Sequence, residues 1–196
     1  MTEPATIHPV IMAVPEPERR LKGREKVTAL RRMARKALHL CARYSGVQLG
    51  PLEKAENGAP LPSNGVFWSL SHKESYVAAV TASRPVGIDI EKIEKDRPRL
   101  KGLYQRLAGP AEWALAPEVT PTLFYRYWTA KEAVLKAVGT GLAGLTRCHI
   151  VKIIDGTRLE LSYEGTKWQI AQYRTAENHI VSLTMDENDI IWHPPD

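Results

Sequence analysis

With 196 residues, 43% of them hydrophobic and 25% charged, the chain has the size and composition of a soluble globular protein built as one compact domain or two small ones. No apolar stretch nears bilayer-spanning length, and the opening MTEPATIHPVIMAV lacks a positive region before its apolar run, so neither a membrane span nor a signal peptide is expected and the cytoplasm is the default location. The net charge of +5 is concentrated in the first quarter: residues 1–50 carry 10 Lys or Arg against 4 Asp or Glu, and residues 51–196 carry 17 against 18, which points to an anionic partner for that quarter.

In chain order, IHPVIMAV (7–14) reads as a strand weakened by Pro9, and residues 15–20 as a polar connector. From Arg24 to Tyr44 the pattern is helical: Val27, Leu30, Ala34, Ala37, Leu38 and Cys41 recur at helix spacing, and Gly46 follows as a stop. Residues 50–65 are rich in Gly and Pro and read as loop. Three short strands are expected next, at FWSLS (67–71), YVAAVTA (76–82) and VGIDIE (86–91). A short helix follows Pro98 to about Leu107, and a second long helix runs from Pro121 to Val138 and ends at Gly139. Strands are expected at HIVKII (149–154), RLELSY (158–163), KWQIAQY (167–173) and HIVSLTM (179–185), before a loose tail ending in HPPD. Each half thus offers a long helix followed by strands. This predicts an α+β fold of two similar subdomains, residues 1–105 and 106–196. Cys41 and Cys148 are far apart, with no partners at metal-ligand spacing, and read as buried thiols of a reducing compartment.

Three segments carry residues suited to chemistry. In GIDIE (87–91), residues two apart share a strand face, so Asp89 and Glu91 present two carboxylates side by side. Like charges so placed need a cation, a partner or solvent. A hard ion such as Mg²⁺ takes carboxylates together with substrate phosphates and water. A solvated acidic face on an amphipathic strand would look the same in five residues. In WTAKEAVLKAVGTGL (128–142), Glu132 and Lys136 are four apart and share a helix face, with Trp128 one turn earlier and Lys131 on a neighbouring stripe. Thr129 and Glu132 would form a capping box if the helix began there, whereas an earlier start leaves Glu132 free in mid-helix. In SLSHKESY (69–76), Ser71 and His72 end a strand, where a histidine can bind phosphate as a cation or simply sit at the surface.

Taken in order, Ser-His, Gly-Ile-Asp-Ile-Glu and Trp-x-x-Lys-Glu-Ala-x-x-Lys-Ala-x-Gly resemble the 4′-phosphopantetheinyl transferase superfamily. The likeness is closer to its single-chain, pseudo-dimeric type, which activates peptide and polyketide synthases, than to its short trimeric type. The motifs cover roughly residues 57–142. The resemblance implies Mg²⁺-dependent transfer of 4′-phosphopantetheine from coenzyme A to a serine of an apo carrier protein, releasing 3′,5′-ADP. It implies that Asp89, Glu91 and Glu132 hold the metal, with Mn²⁺ as the alternative ion. Glu132, or Glu91 through water, would take the serine proton, and Lys136 would stabilise or protonate the leaving group. Ser71, His72 and Lys131 would contact the cofactor's phosphates. Arg20, Arg24, Arg31 and Arg35 of the basic first quarter would meet the phosphates or an acidic carrier surface. A single-chain pseudo-dimer needs no second copy, so a monomer is expected.

This chain departs from the family pattern in three places. Gly58-Ala59-Pro60 stands where Gly-Lys-Pro or Gly-Arg-Pro is common, Lys73 and Glu74 follow the histidine where a small residue and Gly are usual, and Gly139-Thr140-Gly141-Leu142 lacks a lysine. Lys73 is the candidate replacement for the charge missing at Ala59. The competing readings are a Mg²⁺-dependent phosphohydrolase without a protein acceptor, a degenerate relative that only binds coenzyme A, and a nucleic-acid-binding module. Only charge supports the last, because the interleaved aromatics and recognition motifs are missing.

Overall fold

The computed structural model describes residues 6–94, 100–185 and 189–195. The expectations placed on residues 1–5, on Pro98 and on Asp196 lie outside these. Strand β1 (Val10–Ala13) leads through α1 (Glu16–Arg20) to the long α2 (Gly23–Tyr44). Next come β2 (Phe67–Lys73), β3 (Tyr76–Ala82), β4 (Ile88–Lys92), α3 (Leu100–Leu107), α4 (Pro110–Trp113) and α5 (Pro121–Val138). A 3₁₀ segment at Gly141–Arg147 precedes β5 (Cys148–Ile153), β6 (Arg158–Tyr163), β7 (Thr166–Arg174) and β8 (His179–Met185). The fold is α+β, with two antiparallel sheets ordered β1-β3-β2 and β4-β8-β7-β6-β5.

The apolar pattern explains how these layers stack. Leu30, Ala34, Ala37, Leu38 and Cys41 line the buried face of α2 and pack on Val77 and Ala79 of β3. The alternate β3 residues Tyr76, Ala78 and Val80 face the other way, into a cluster with Ile88, Ile90, Val181 and Leu183. The run YVAAVTA is continuously apolar because it is covered on both faces. Helix α5 covers the second sheet, where Phe124, Val134 and Leu135 join Ile150, Leu161 and Ile170 in a third cluster.

Helix α5 has the expected bounds. Thr120 caps its start by accepting a hydrogen bond from Leu123 N at 3.1 Å, Pro121 opens the first turn, and Gly139 closes it in the left-handed region at φ 80°. Thr129 is therefore no cap: its hydroxyl donates to Tyr125 O at 2.8 Å, and Glu132 lies mid-helix. Three expectations are corrected. The connector 15–20 holds α1, and α4 interrupts the loop after α3. The C-terminal tail is not loose through His193: Ile190 and His193 bridge in parallel to Ile7 and Val10, and Ile11 N donates to His193 O at 2.8 Å. Strand β4, to which alternation assigns a face but no partner, lies next to β8 at the edge of the second sheet and not with the neighbouring strands β2 and β3.

Candidate active site

Strand β4 carries the pair of carboxylates. Ile88 and Ile90 point into the core, 0% and 1% exposed, so Asp89 and Glu91 share the opposite face. Two serines of β2 stitch this strand to the first sheet: Ser69 Oγ accepts from Ile88 N at 3.1 Å, and Ser71 Oγ donates to Asp89 Oδ1 at 2.8 Å. Asp89 is 6% exposed, and its Oδ2 is buried with no hydrogen-bond partner among the described residues. An oxygen left in that state inside a protein is costly unless a cation reaches it.

Helix α5 meets this face through Gly87. A Cβ there would lie 1.8 Å from Ala133 O and 2.9 Å from Ala137 N, so only glycine lets the helix backbone pass this close to the strand. The approach brings Lys136 Nζ to 2.6 Å from Asp89 Oδ1 and 3.1 Å from Ile88 O. Glu132, one turn earlier, lies half-buried on the same helix face. Its carboxyl is pushed above the usual glutamate range, first by burial and then by the negative charge of Asp89; Lys136 pulls it back and Glu91 adds to the rise. Asp89, Glu91, Glu132 and Lys136 therefore share one electrostatic site.

A cationic group adjoins it. His72 is half-buried at the end of β2, and its pKa is lowered by burial first, then by the charges of Lys136 and Arg31, and more weakly by Lys54. Arg31 projects from α2 and Lys54 from the loop before β2. Lys54 bridges to Pro60, and Ala55 N donates to Ala59 O at 2.9 Å, so this lysine rises beside the position where Ala59 replaces a cation. Sequence reading passed over Lys54 because it lies in an irregular loop. Positive charges held together without an anion favour one, and the group suits phosphate.

Other expected site residues stand elsewhere. Lys131 is 1% exposed, and its Nζ donates to Leu107 O and pairs with Glu112 Oε1, both at 2.7 Å, on the side of α5 turned towards α3 and α4. This inward placement corrects its expected role as a phosphate contact. Glu112 was missed from sequence. It accepts from Gly109 N and Ile150 N, each at 2.8 Å, and so ties α4, β5 and α5 together. Arg20 is exposed and held by Glu16 at 2.5 Å; neither it nor the exposed Arg24 is among the charges that act on His72. The Ser71 hydroxyl serves Asp89. Lys73 pairs with Glu91 at 2.5 Å and so does not replace the charge missing at Ala59. Trp128 packs partly buried against the core of the second sheet, as its position predicts.

Among the described residues no three His, Cys, Asp or Glu side chains form a ready-made metal cage. The donor set nonetheless suits a hard cation: all oxygens, one of them buried and orphaned, beside a glutamate that burial and then two like charges push towards protonation. The ammonium groups of Lys136 and Lys73 sit on Asp89 and Glu91, where such an ion would relieve the carboxylates. No helix among the described residues is long and apolar enough to cross a membrane, and both cysteines are buried free thiols.

Residues 85–184 match the family model described as the 4′-phosphopantetheinyl transferase superfamily. The chain is 34% identical over 119 residues to the 4′-phosphopantetheinyl transferase HetI of Nostoc sp., covering 55% of this chain and 50% of that protein. It is 30% identical over 104 residues to a 4′-phosphopantetheinyl transferase of Bacillus subtilis, covering 50% and 44%. With the L-aminoadipate-semialdehyde dehydrogenase-phosphopantetheinyl transferase of Xenopus laevis the identity is 27% over 169 residues, covering 72% and 56%. The chain spans about half the length of these curated relatives.

Proposed function

The chain belongs to the 4′-phosphopantetheinyl transferase superfamily, and on that premise we propose that it moves the 4′-phosphopantetheine group of coenzyme A onto a serine of an apo carrier protein and releases 3′,5′-ADP. The observation that carries this reading is the meeting of two surfaces on one strand face. Asp89 and Glu91 of β4, with Glu132 and Lys136 of α5, lie beside the imidazole of His72 and the cations Arg31 and Lys54 that act on it. An oxygen-rich acidic site next to a phosphate-binding group is what transfer from a pyrophosphate requires.

Asp89, Glu91 and Glu132 would hold a divalent ion, Mg²⁺ or Mn²⁺. When bound, that ion neutralises pyrophosphate charge and orients it for displacement. The chain's own residues do the rest. Ser71 and Lys136 fix Asp89 through Oδ1, which leaves Oδ2 as its open donor. His72, Arg31 and Lys54 would seat the nucleotide phosphates, and Lys136, tied to Ile88 O, is placed to stabilise the phosphate oxygen that departs. A carboxylate at this site accepts the proton of the carrier serine. Glu132 is the first candidate, since burial and then the charges of Asp89 and Glu91 already favour proton uptake there. The serine oxygen then forms the new P–O bond as the bond to 3′,5′-ADP breaks. Asp89, Glu91, Glu132 and Lys136 are all present, which disfavours a relative that only binds coenzyme A.

Asp89→Ala tests the site directly. The variant should keep its far-UV spectrum and thermal transition, yet lose metal-dependent transfer by more than about a hundredfold. Full activity in a folded Asp89→Ala protein would remove this site from the reaction. Free phosphopantetheine appearing in a mixture without any carrier would favour the hydrolytic reading.

A further inference from the structure

Both carboxylates of β4 carry a lysine, and the two lysines are held differently. Lys136 is fixed twice, to Asp89 Oδ1 at 2.6 Å and to Ile88 O at 3.1 Å, and so belongs to the frame that docks α5 on β4. Lys73 is the last residue of β2, 28% exposed, on a four-carbon stem that can swing to solvent. Its Nζ lies 2.5 Å from Glu91 Oε2. The next residue, Glu74, is held by Lys26 of α2 at 2.9 Å, which anchors the turn and leaves the Lys73 ammonium directed at Glu91. An ammonium and a divalent ion at one carboxylate compete for the same oxygens and repel each other.

We propose that Lys73 is a built-in competitor for the metal site. The divalent ion must displace its ammonium from Glu91, so Lys73 sets the metal concentration at which the site loads. This rests on the metal-binding reading given above for Asp89, Glu91 and Glu132. The competition is electrostatic and local. It should be kept by any cation on a similar stem and should vanish when Glu91 is no longer an anion.

The test is a titration of the full chain, free of any affinity tag, with Mn²⁺ alone, the free ion being read by electron paramagnetic resonance. Wild type, Lys73→Met, Lys73→Arg, Glu91→Gln, the Lys73→Met/Glu91→Gln double variant and Asp89→Asn are compared, with a thermal melt of each to show that it is folded. Lys73→Met should bind Mn²⁺ about tenfold more tightly than wild type, a size between that of an exposed and a buried ion pair. Lys73→Arg should bind like wild type, and the gain from Lys73→Met should disappear in the Glu91→Gln background. Equal or weaker affinity in Lys73→Met, with binding still lost in Asp89→Asn, would overturn the competitor role and leave the metal site standing. Unchanged binding in Asp89→Asn would overturn the metal site, and the inference with it.

Discussion

Lys131 and Lys136 lie five residues apart on α5, about 140° around its axis, and so face different parts of the molecule. Lys136 reaches Asp89, whereas Lys131 is sealed inside against Glu112. Motif likeness alone gives both lysines a phosphate role, and the helical angle separates them. Glu112 was not legible as Lys131's partner because the two are distant in sequence and meet only through the packing of α4 on α5. Burial alone would raise the Glu112 pKa, but the bonds from Lys131, Ile150 and Gly109 outweigh it and hold the carboxyl below its ordinary value of 4.5. A depressed folded-state pKa contributes stability that is present above the ordinary value and is lost as pH falls below it towards the folded-state value. Glu112→Gln should therefore cost about 3 kcal/mol at pH 7 in urea unfolding, because it strands a buried ammonium, and the gap to wild type should narrow at pH 3. A constant gap across that range would detach Glu112's charge from its structural role. Lys136→Ala should lower kcat about a hundredfold with little change in KM for the carrier, the split expected of a group that acts on the leaving phosphate.

At the scale of elements, the site depends on how closely α5 crosses β4. Gly87→Ala would push a methyl into the Ala133 carbonyl, and helix backbone cannot give way as a side-chain tip can. It should destabilise the fold by about 3 kcal/mol, and any folded fraction should transfer poorly because Glu132 and Lys136 are displaced. A wild-type melting temperature in Gly87→Ala would contradict this packing. The long elements were legible in sequence. Helix α5 and strands β3, β6 and β8 have the bounds their patterns predict, since α5 and β6 repeat their apolar period and β3 and β8 are largely apolar runs buried on both faces. Helices α1 and α4, five and four residues long, pass through too few periods to show one. The partner of β4 was hidden for another reason. Alternation assigns faces but not neighbours, and the pairing of Asp89 with Ser182 joins segments far apart in the chain. Within the site, the Asp89 and Glu91 face was legible by alternation, whereas Lys54, in an irregular loop, left no signal.

At the scale of the whole molecule, the site lies on the seam between the two sheets. Strand β2 of the first sheet supplies Ser71, His72 and Lys73, and β4 of the second supplies the carboxylates. One apolar cluster, running from Ile11 and Val80 to Ile88 and Leu183, holds the seam together. The bridges from Ile190 to Ile7 and from His193 to Val10 of β1 tie the C-terminal segment to it. The basic first quarter places Arg24, Arg31 and Arg35 on the exposed side of α2, with Arg31 reaching the His72 group. A charged surface leading into that group suits an acidic carrier brought to its phosphopantetheine donor. The most direct measurement is intact mass of a panel of apo carrier proteins after incubation with the purified chain, coenzyme A and Mg²⁺. At least one carrier should gain a single phosphopantetheine, and EDTA should abolish the gain. No gain on any carrier, from a folded protein that also fails to bind coenzyme A, would contradict the proposed transfer.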